Sequence, residues 1–560
     1  MATHDTDNAV FNDKLHIIER SDPVGADFMN GLMKQLIWND VALMRAAGQF
    51  AGSKNEQAKF LLNLHKNGKK YGVRFDAFSI NPSPTGTLIL DSTGMVAEPS
   101  TNTYRGQNDF EGESIFYGLP VNGSVTSDGD FTVTKIFGVD SDFSLTEADV
   151  WILFLPQFCK ITIDANGETD IFSDTWYDGF WPEAAAIKTD GSLRDFIPIA
   201  KYMASKVNGV EMSVSGGIAT QHSHASSITS FKSKGTQYCG QTMQDWEHMR
   251  NLFICSFGTR NFQSKMKGCT SYYLQYPATV VESDVERIII SKAQAANLVV
   301  GSAVSIGNAT ALNSGGTAGN IDRGQAGMHA KANRVRITKI EEYDANNSAV
   351  YVDNGGVTFS TGVNVVSGID CPTYLSTMQW RTGGCNDVLG SCGSPYNNQS
   401  GKEPCLLYGV EMFLGYWEPC GNTIVVTESH VLVPYICYDC TELSTSGKTS
   451  DYTKVNIAIP NCNAGWKYAS EMGFDPDNPG VRLATGNEAT STTGYADGLY
   501  TEDLESLADG QQREVLLAGN LHNGERGGLW DATLGNGRSY SDWSCAARLS
   551  ATGRSGQEAA

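Results

Sequence analysis

The chain has 560 residues, more than one ordinary domain holds, so roughly two to four are expected. Its net charge of -21 argues against a nucleic-acid groove or an anionic membrane surface as the main partner, since both attract basic patches. With 59 glycines, 41 % hydrophobic and only 18 % charged residues, it describes a loop-rich, β-rich protein able to build a substantial core.

No run of about eighteen apolar residues is present, and MATHDTDNAVFNDK has no basic stretch followed by a hydrophobic one. Neither membrane insertion nor a secretory signal is therefore expected. The 13 cysteines are scattered, and most are expected to be reduced core residues. Cys437 and Cys440 have the spacing of half a zinc or redox site but lack a second pair. His222 and His224 lack a third ligand and read as a polar surface loop. No metal and no cofactor is predicted.

Residues 23–50 predict a helix in which Met29, Leu32, Leu36, Asn39, Leu43 and Ala46 alternate spacings of three and four. One polar Asn in an apolar seam is a device for fixing register and oligomer state, so a short parallel coiled coil or an amphipathic helix packed on its own domain both fit. The run from Pro23 to Phe28, followed by Asn30, Leu32, Leu36, Asn39 and Asp40, resembles the N-terminal helices of phage tail-fibre and baseplate proteins. That resemblance implies a homotrimer docked to other virion proteins through residues 1–70.

From about Lys70 short β segments follow one another: GVRFDAFSI, TGTLILDST, FTVTKIFG and a long hydrophobic strand at 150–158, separated by Gly, Asp, Asn and Ser. Thr242 and Asp245 then make a capping pair ahead of Trp246, Met249, Phe253 and Phe257, which line one helix face as core. Residues 278–368 are β-branched and alternate, a small all-β domain inserted at an exposed loop, where added length costs little closure entropy. Glu411, within CLLYGVEMFLGYWEPCGNTIVV, is expected to be a structural carboxylate.

The last sixty residues carry a different pattern. In 518–550, Gly519, Gly524, Gly528, Leu529, Leu534, Trp543, Ala547 and Leu549 alternate with residues of no common chemistry. Aromatic, amide, acidic and guanidinium groups among Gly and Ser are what adaptable binding surfaces use. The Gly-Asn opening, Gly527-Gly528-Leu529-Trp530, Arg538-Ser539, Trp543 and the closing Ala547-Arg548-Leu549-Ser550 resemble the variable region of C-type-lectin-fold proteins diversified by retroelements. Such proteins occur as phage receptor-binding tips and share their fold with formylglycine-generating enzymes. Asn108-Asp109-Phe110, 259–269, 405–426 and 497–500 are similar to further segments of that family.

The resemblance implies an α+β fold: a C-type-lectin-like body from 71–277 and 369–560, with an N-terminal helix and the insertion at 278–368. It also implies a receptor-binding face of His522, Asn523, Glu525, Arg526, Trp530, Asp531, Ala532, Thr533, Asn536, Tyr540, Asp542 and Ser544. No enzyme is expected, because the related oxidases need a reactive cysteine pair near the C-terminus, where this chain has only Cys545. The function implied is a virion protein of a phage tail, fibre or head-fibre tip, made in the host cytoplasm, that binds a bacterial surface glycan or protein. A retroelement-diversified bacterial protein of the same fold and a virion decoration protein that binds no cells remain alternatives.

Overall fold

The computed structural model describes residues 52–551 apart from 128, 189 and 313–322. The expected seam at 29–46 lies outside the described residues. The chain is sheet-rich, 36 % strand against 12 % helix, in keeping with its Gly-punctuated β-branched segments. Among the described residues no helix is long and apolar enough to cross a membrane.

Helix α1 (Lys54–Asn63) opens with a reciprocal capping box between Ser53 and Glu56. Asn55 bonds both ways with the sheet-edge strand Phe131–Ile136, donating to the Phe131 carbonyl at 2.8 Å and accepting from the Val133 amide at 2.7 Å. An exposed strand edge is thereby closed. The same sheet holds Leu119–Val125, Val150–Phe154 and Ile197–Val207, and the strand beside Ile197–Val207 is Arg548–Ser550 from the far end of the chain. Arg548 is wholly buried and donates to the carbonyls of Ala200 (2.9 Å), Lys201 (2.9 Å) and Glu411 (2.6 Å). Glu411, also wholly buried, accepts from the amides of Gly383 and Cys385 at 2.8 Å each.

The long strand expected at 150–158 is two strands, Val150–Phe154 and Phe158–Asp164, in different sheets. Pro156 separates them, because a proline cannot donate to a ladder. Strands within 278–368 join a six-stranded sheet that, in chain order, begins at Gln275–Pro277 and ends at Tyr374–Thr377, one strand outside each expected boundary of the β module. Its core of Ile288, Ile290, Val304, Ile306, Val335 and Val350 runs into the body through Tyr272, Trp380 and Leu521.

Helix α2 (His224–Lys232) begins at the Ser223 cap. The expectation of a polar surface loop at His222 and His224 is overturned, for both imidazoles are buried. His222 Nε2 lies 3.1 Å from Glu211, and burial holds the His224 imidazole down at about 3. The thirteen cysteines are all free and buried. Cys437 and Cys440 take separate partners: Cys437 donates to the Asp439 carbonyl, and Cys440 lies against Cys239 from another strand. Among the described residues no group of three or more His, Cys, Asp or Glu is placed to hold a metal ion.

Helix α3 (Met243–Phe257) is capped by Thr242 and Asp245 and closed by Gly258 in the left-handed conformation (φ 60°). Its apolar stripe packs as expected, but every one of its residues is buried, the polar face included. Arg250 donates to the carbonyls of Leu529 (2.8 Å) and Arg482 (3.0 Å), while Glu183 joins His248 (2.7 Å) and Asn251 (2.7 Å). Glu168, across the cluster, pairs with both Arg260 and Arg482 and accepts from the Tyr495 hydroxyl at 3.2 Å. Burial alone would raise the Glu168 carboxyl; Arg482 and Arg260 overcome it and hold the group at about 2. Neighbouring Asp170, buried without a hydrogen-bond partner, is pushed well above the carboxylate range by burial and by Glu168.

Glu168→Gln strands two buried guanidiniums and is expected to cost about 3–5 kcal/mol in urea unfolding at neutral pH. Because the folded-state value lies below the unfolded one, the carboxylate's contribution is complete above the ordinary glutamate range and lost as pH falls toward about 2. The gap between wild type and variant should therefore close on acidification; a constant gap would show that Glu168 acts through packing alone.

Candidate recognition surface

The C-terminal region is built on Gln512–Ala518, which pairs antiparallel with Gly528–Thr533; that strand runs parallel to Gly498–Tyr500. The chain leaves the first strand through Ala518 (φ 75°) and Gly519 (φ 83°). A Cβ on Gly519 would stand 2.8 Å from the Gly527 Cα, so only glycine permits this crossing. Gln263 then pins the loop, its amide donating to the carbonyls of Gly524 (2.6 Å) and Gly527 (2.5 Å). Asn523 accepts from the Asn520 amide at 2.9 Å, and Asn520 reaches Ser544 Oγ at 3.2 Å, tying this loop to the next.

The structure divides the expected receptor-binding face. Asn523, Trp530, Asp531, Ala532, Thr533 and Ser544 are buried, which corrects the expectation that they are displayed. The physical reason is that Gly528–Thr533 is an interior strand, flanked on both sides and packed on both faces. Alternation sends Trp530 and Ala532 into the main core, with the Trp530 ring 6.2 Å from Phe253 and 5.5 Å from Tyr495. Asp531 lies beneath Arg526 and Trp466, all three meeting over Gly498. Neither Asp531 oxygen has a hydrogen-bond partner, and burial, with Asp497 beside it, raises its carboxyl far above the usual range. Asn523 and Ser544 are buried because they hold the loops.

His522 and Glu525 are exposed, and Arg526, Asn536, Tyr540 and Asp542 are half-buried. Several of them join one strip with side chains that sequence reading did not select. The Arg526 guanidinium sits 4.9 Å over the Trp466 ring, and Trp466 lies 5.5 Å from Tyr500. His522 stacks edge-on against Tyr273 at 4.6 Å, and Tyr273 in turn meets Trp543 at 5.9 Å. Beneath Tyr273 the Arg323 guanidinium lies 3.6 Å from the ring centre. Burial, then Arg323 and Arg526, keeps the His522 imidazole below its ordinary value, hence neutral in neutral solution. The chain continues from Trp543 into Asp542, which accepts from the Tyr540 hydroxyl at 2.7 Å and from the Ser544 amide at 2.7 Å.

Trp543, assigned to the frame from its place in the pattern, packs against the core of the β module and is half-buried, so one edge also reaches the surface. Tyr273 and Trp466 lie far from the C-terminus in sequence. Their one local signal is a pair of aromatics, Tyr272-Tyr273, and a tryptophan just after the left-handed residues Asn463 and Ala464.

Under the loop at 534–545, Glu514 accepts from the His224 amide at 2.9 Å and donates its own amide to the Asn536 carbonyl at 3.0 Å. Burial pushes its carboxyl up to about 8. No protein-family model matches the chain, and no curated protein sequence matches it.

Trp530→Ala is expected to cost about 3–5 kcal/mol as a core truncation, whereas His522→Ala should change stability by less than ~0.5 kcal/mol. Equal losses in chemical denaturation would contradict the division of the face. Glu514, with its folded-state value raised, contributes fully below the ordinary glutamate range and loses that contribution as pH rises toward about 8. Glu514→Gln keeps the acceptor for His224 and cannot ionise. Its melting temperature should match wild type in acid and exceed it in mild alkali; a gap of the opposite sign would refute the buried neutral acid.

Proposed function

We propose that this chain is a receptor-binding structural protein of a phage particle, with a C-type-lectin-like body that presents the C-terminal strip to a bacterial surface glycan or protein. The observation that carries the reading is the continuity of the strip. Trp466 and Arg526 pair through a cation–π contact and His522, Tyr273 and Trp543 through ring contacts, while Arg526 is near enough to His522 to depress its imidazole, all on a frame fixed by Gln263 and Arg250. Rigid aromatics lose little entropy on binding, and half-buried arginines give bidentate hydrogen bonds, the properties that concentrate binding energy at recognition surfaces. The likeness of 518–550 to retroelement-diversified lectin-fold proteins supports the virion context. Several tethered copies would make each further engagement intramolecular, raising avidity by about 10²- to 10⁴-fold over one weak site.

The test is binding of the fluorescent full-length chain to a panel of intact bacteria, read by flow cytometry. Wild type should label at least one strain, and His522→Ala, Arg526→Ala and Tyr540→Ala should each weaken labelling about tenfold or more with unchanged melting, since each removes ~1.4 kcal/mol or more. Labelling of no strain, or undiminished labelling by all three variants, would remove the proposal.

A further inference from the structure

A second cleft, which shares no lining residue with the strip, lies where the inserted module meets the body. A cleft of about 570 Å³ opens there, with Arg336, Asp353 and Asn333 on the module side and Arg381, Thr382 and Ser215 on the body side. Its volume falls within the range of small-ligand sites, about 300–1,000 Å³.

Its charge runs against that of the molecule. Several of the module's other cations are matched: Arg287 with Glu282 at 2.6 Å, Lys292 with Glu342 at 3.1 Å, and Lys339 with Glu341. Arg336 and Arg381 have no ion-pair partner among the described residues, and burial, then Arg336, disfavours the Arg381 charge, with Asp353 favouring it. Arg381 spends Nε on the Arg334 carbonyl (3.0 Å) and one terminal nitrogen on the Gly216 carbonyl (3.1 Å), which leaves Nη2 uncommitted. Arg334 adopts a left-handed backbone (φ 49°), the conformation that turns this carbonyl toward Arg381. Asp353 stands across the sheet from Arg336 as its register partner. The cleft therefore offers two guanidiniums against one carboxylate in a chain of net charge -21. Two guanidiniums facing a single carboxylate leave one positive charge unbalanced and gain from an anion between them, and arginine forks suit carboxylate and phosphate geometry.

We propose that this cleft binds an acidic saccharide, its carboxylate or phosphate between Arg336 and Arg381 and its hydroxyls on Asp353 and Asn333. The polar wall supplies the sugar's acceptors and donors, and the exposed Arg336 sets affinity while Arg381 also holds the module to the body. The site does not depend on the C-terminal strip.

The experiment is calorimetric titration of the full-length chain with trigalacturonate, with galactose 6-phosphate and with neutral galactotriose. One acidic probe, or both, should bind with one-to-one stoichiometry and weaken with added salt. Arg336→Ala should lower its affinity about tenfold or more, Arg336→Lys less, and Asp353→Asn should leave the anion-dependent part intact or strengthen it. His522→Ala, in the strip, should bind like wild type. Binding of trigalacturonate alone assigns a uronate and of galactose 6-phosphate alone a sugar phosphate. Binding of neither, equal binding of galactotriose, or an affinity unchanged by Arg336→Ala overturns the proposal.

Discussion

A helix buried along its whole length must find partners inside the protein for its polar face, and in this chain that requirement fixes much of the rest. Met243–Phe257 carries Glu247, His248, Arg250 and Asn251 into the interior, where an unpaired charge is prohibitively unfavourable. Their partners come from distant parts of the sequence: Glu183, Arg482 and the carbonyl of Leu529. Arg482 in turn reaches Glu168 on the first five-stranded sheet. Such pairs contribute little net stability against a well-packed apolar alternative, but a missing member leaves a stranded charge, so they restrict the chain to one arrangement. The strand Gly528–Thr533 is held to the helix through this network, and the loops of the strip hang from that strand.

The apolar half of this arrangement was legible in the sequence; the polar half was not. Thr242, Asp245 and the Trp246–Met249–Phe253–Phe257 spacing locate the helix and its cap, because helical periodicity is a local property. That Glu247 and Arg250 face inward is decided by segments more than two hundred residues away, and nothing in the helix distinguishes them from solvated charges. The inserted module was legible for the same local reason. Its outer strands, Gln275–Pro277 and Tyr374–Thr377, were missed because three- or four-residue strands carry too few alternations to stand out.

The candidate site shows the same limit. Asp531 and Thr533 were placed on the face by the resemblance, yet both are buried, and burial raises the Asp531 carboxyl far above its usual range. Trp543 was read as scaffold from its place in the pattern; it packs on the core and, half-buried, also meets Tyr273. His522, Glu525, Arg526, Asn536, Tyr540 and Asp542 kept their accessible positions. The residues that complete the strip, Tyr273 and Trp466, come from the segment before the module and from the edge strand Trp466–Tyr468. Of the twelve side chains selected within 518–550, half are accessible and half are buried.

The proposed recognition role rests on this strip being the part of the molecule that meets a partner. Hydroxyl-radical footprinting of the full-length chain, free and bound to a bacterial strain it labels, measures that directly. The account predicts that Trp466, His522, Tyr540 and Trp543 lose reactivity on binding while Trp176, 57 % exposed and outside the strip, stays reactive. Protection of Trp176 with unchanged reactivity across the strip would contradict it.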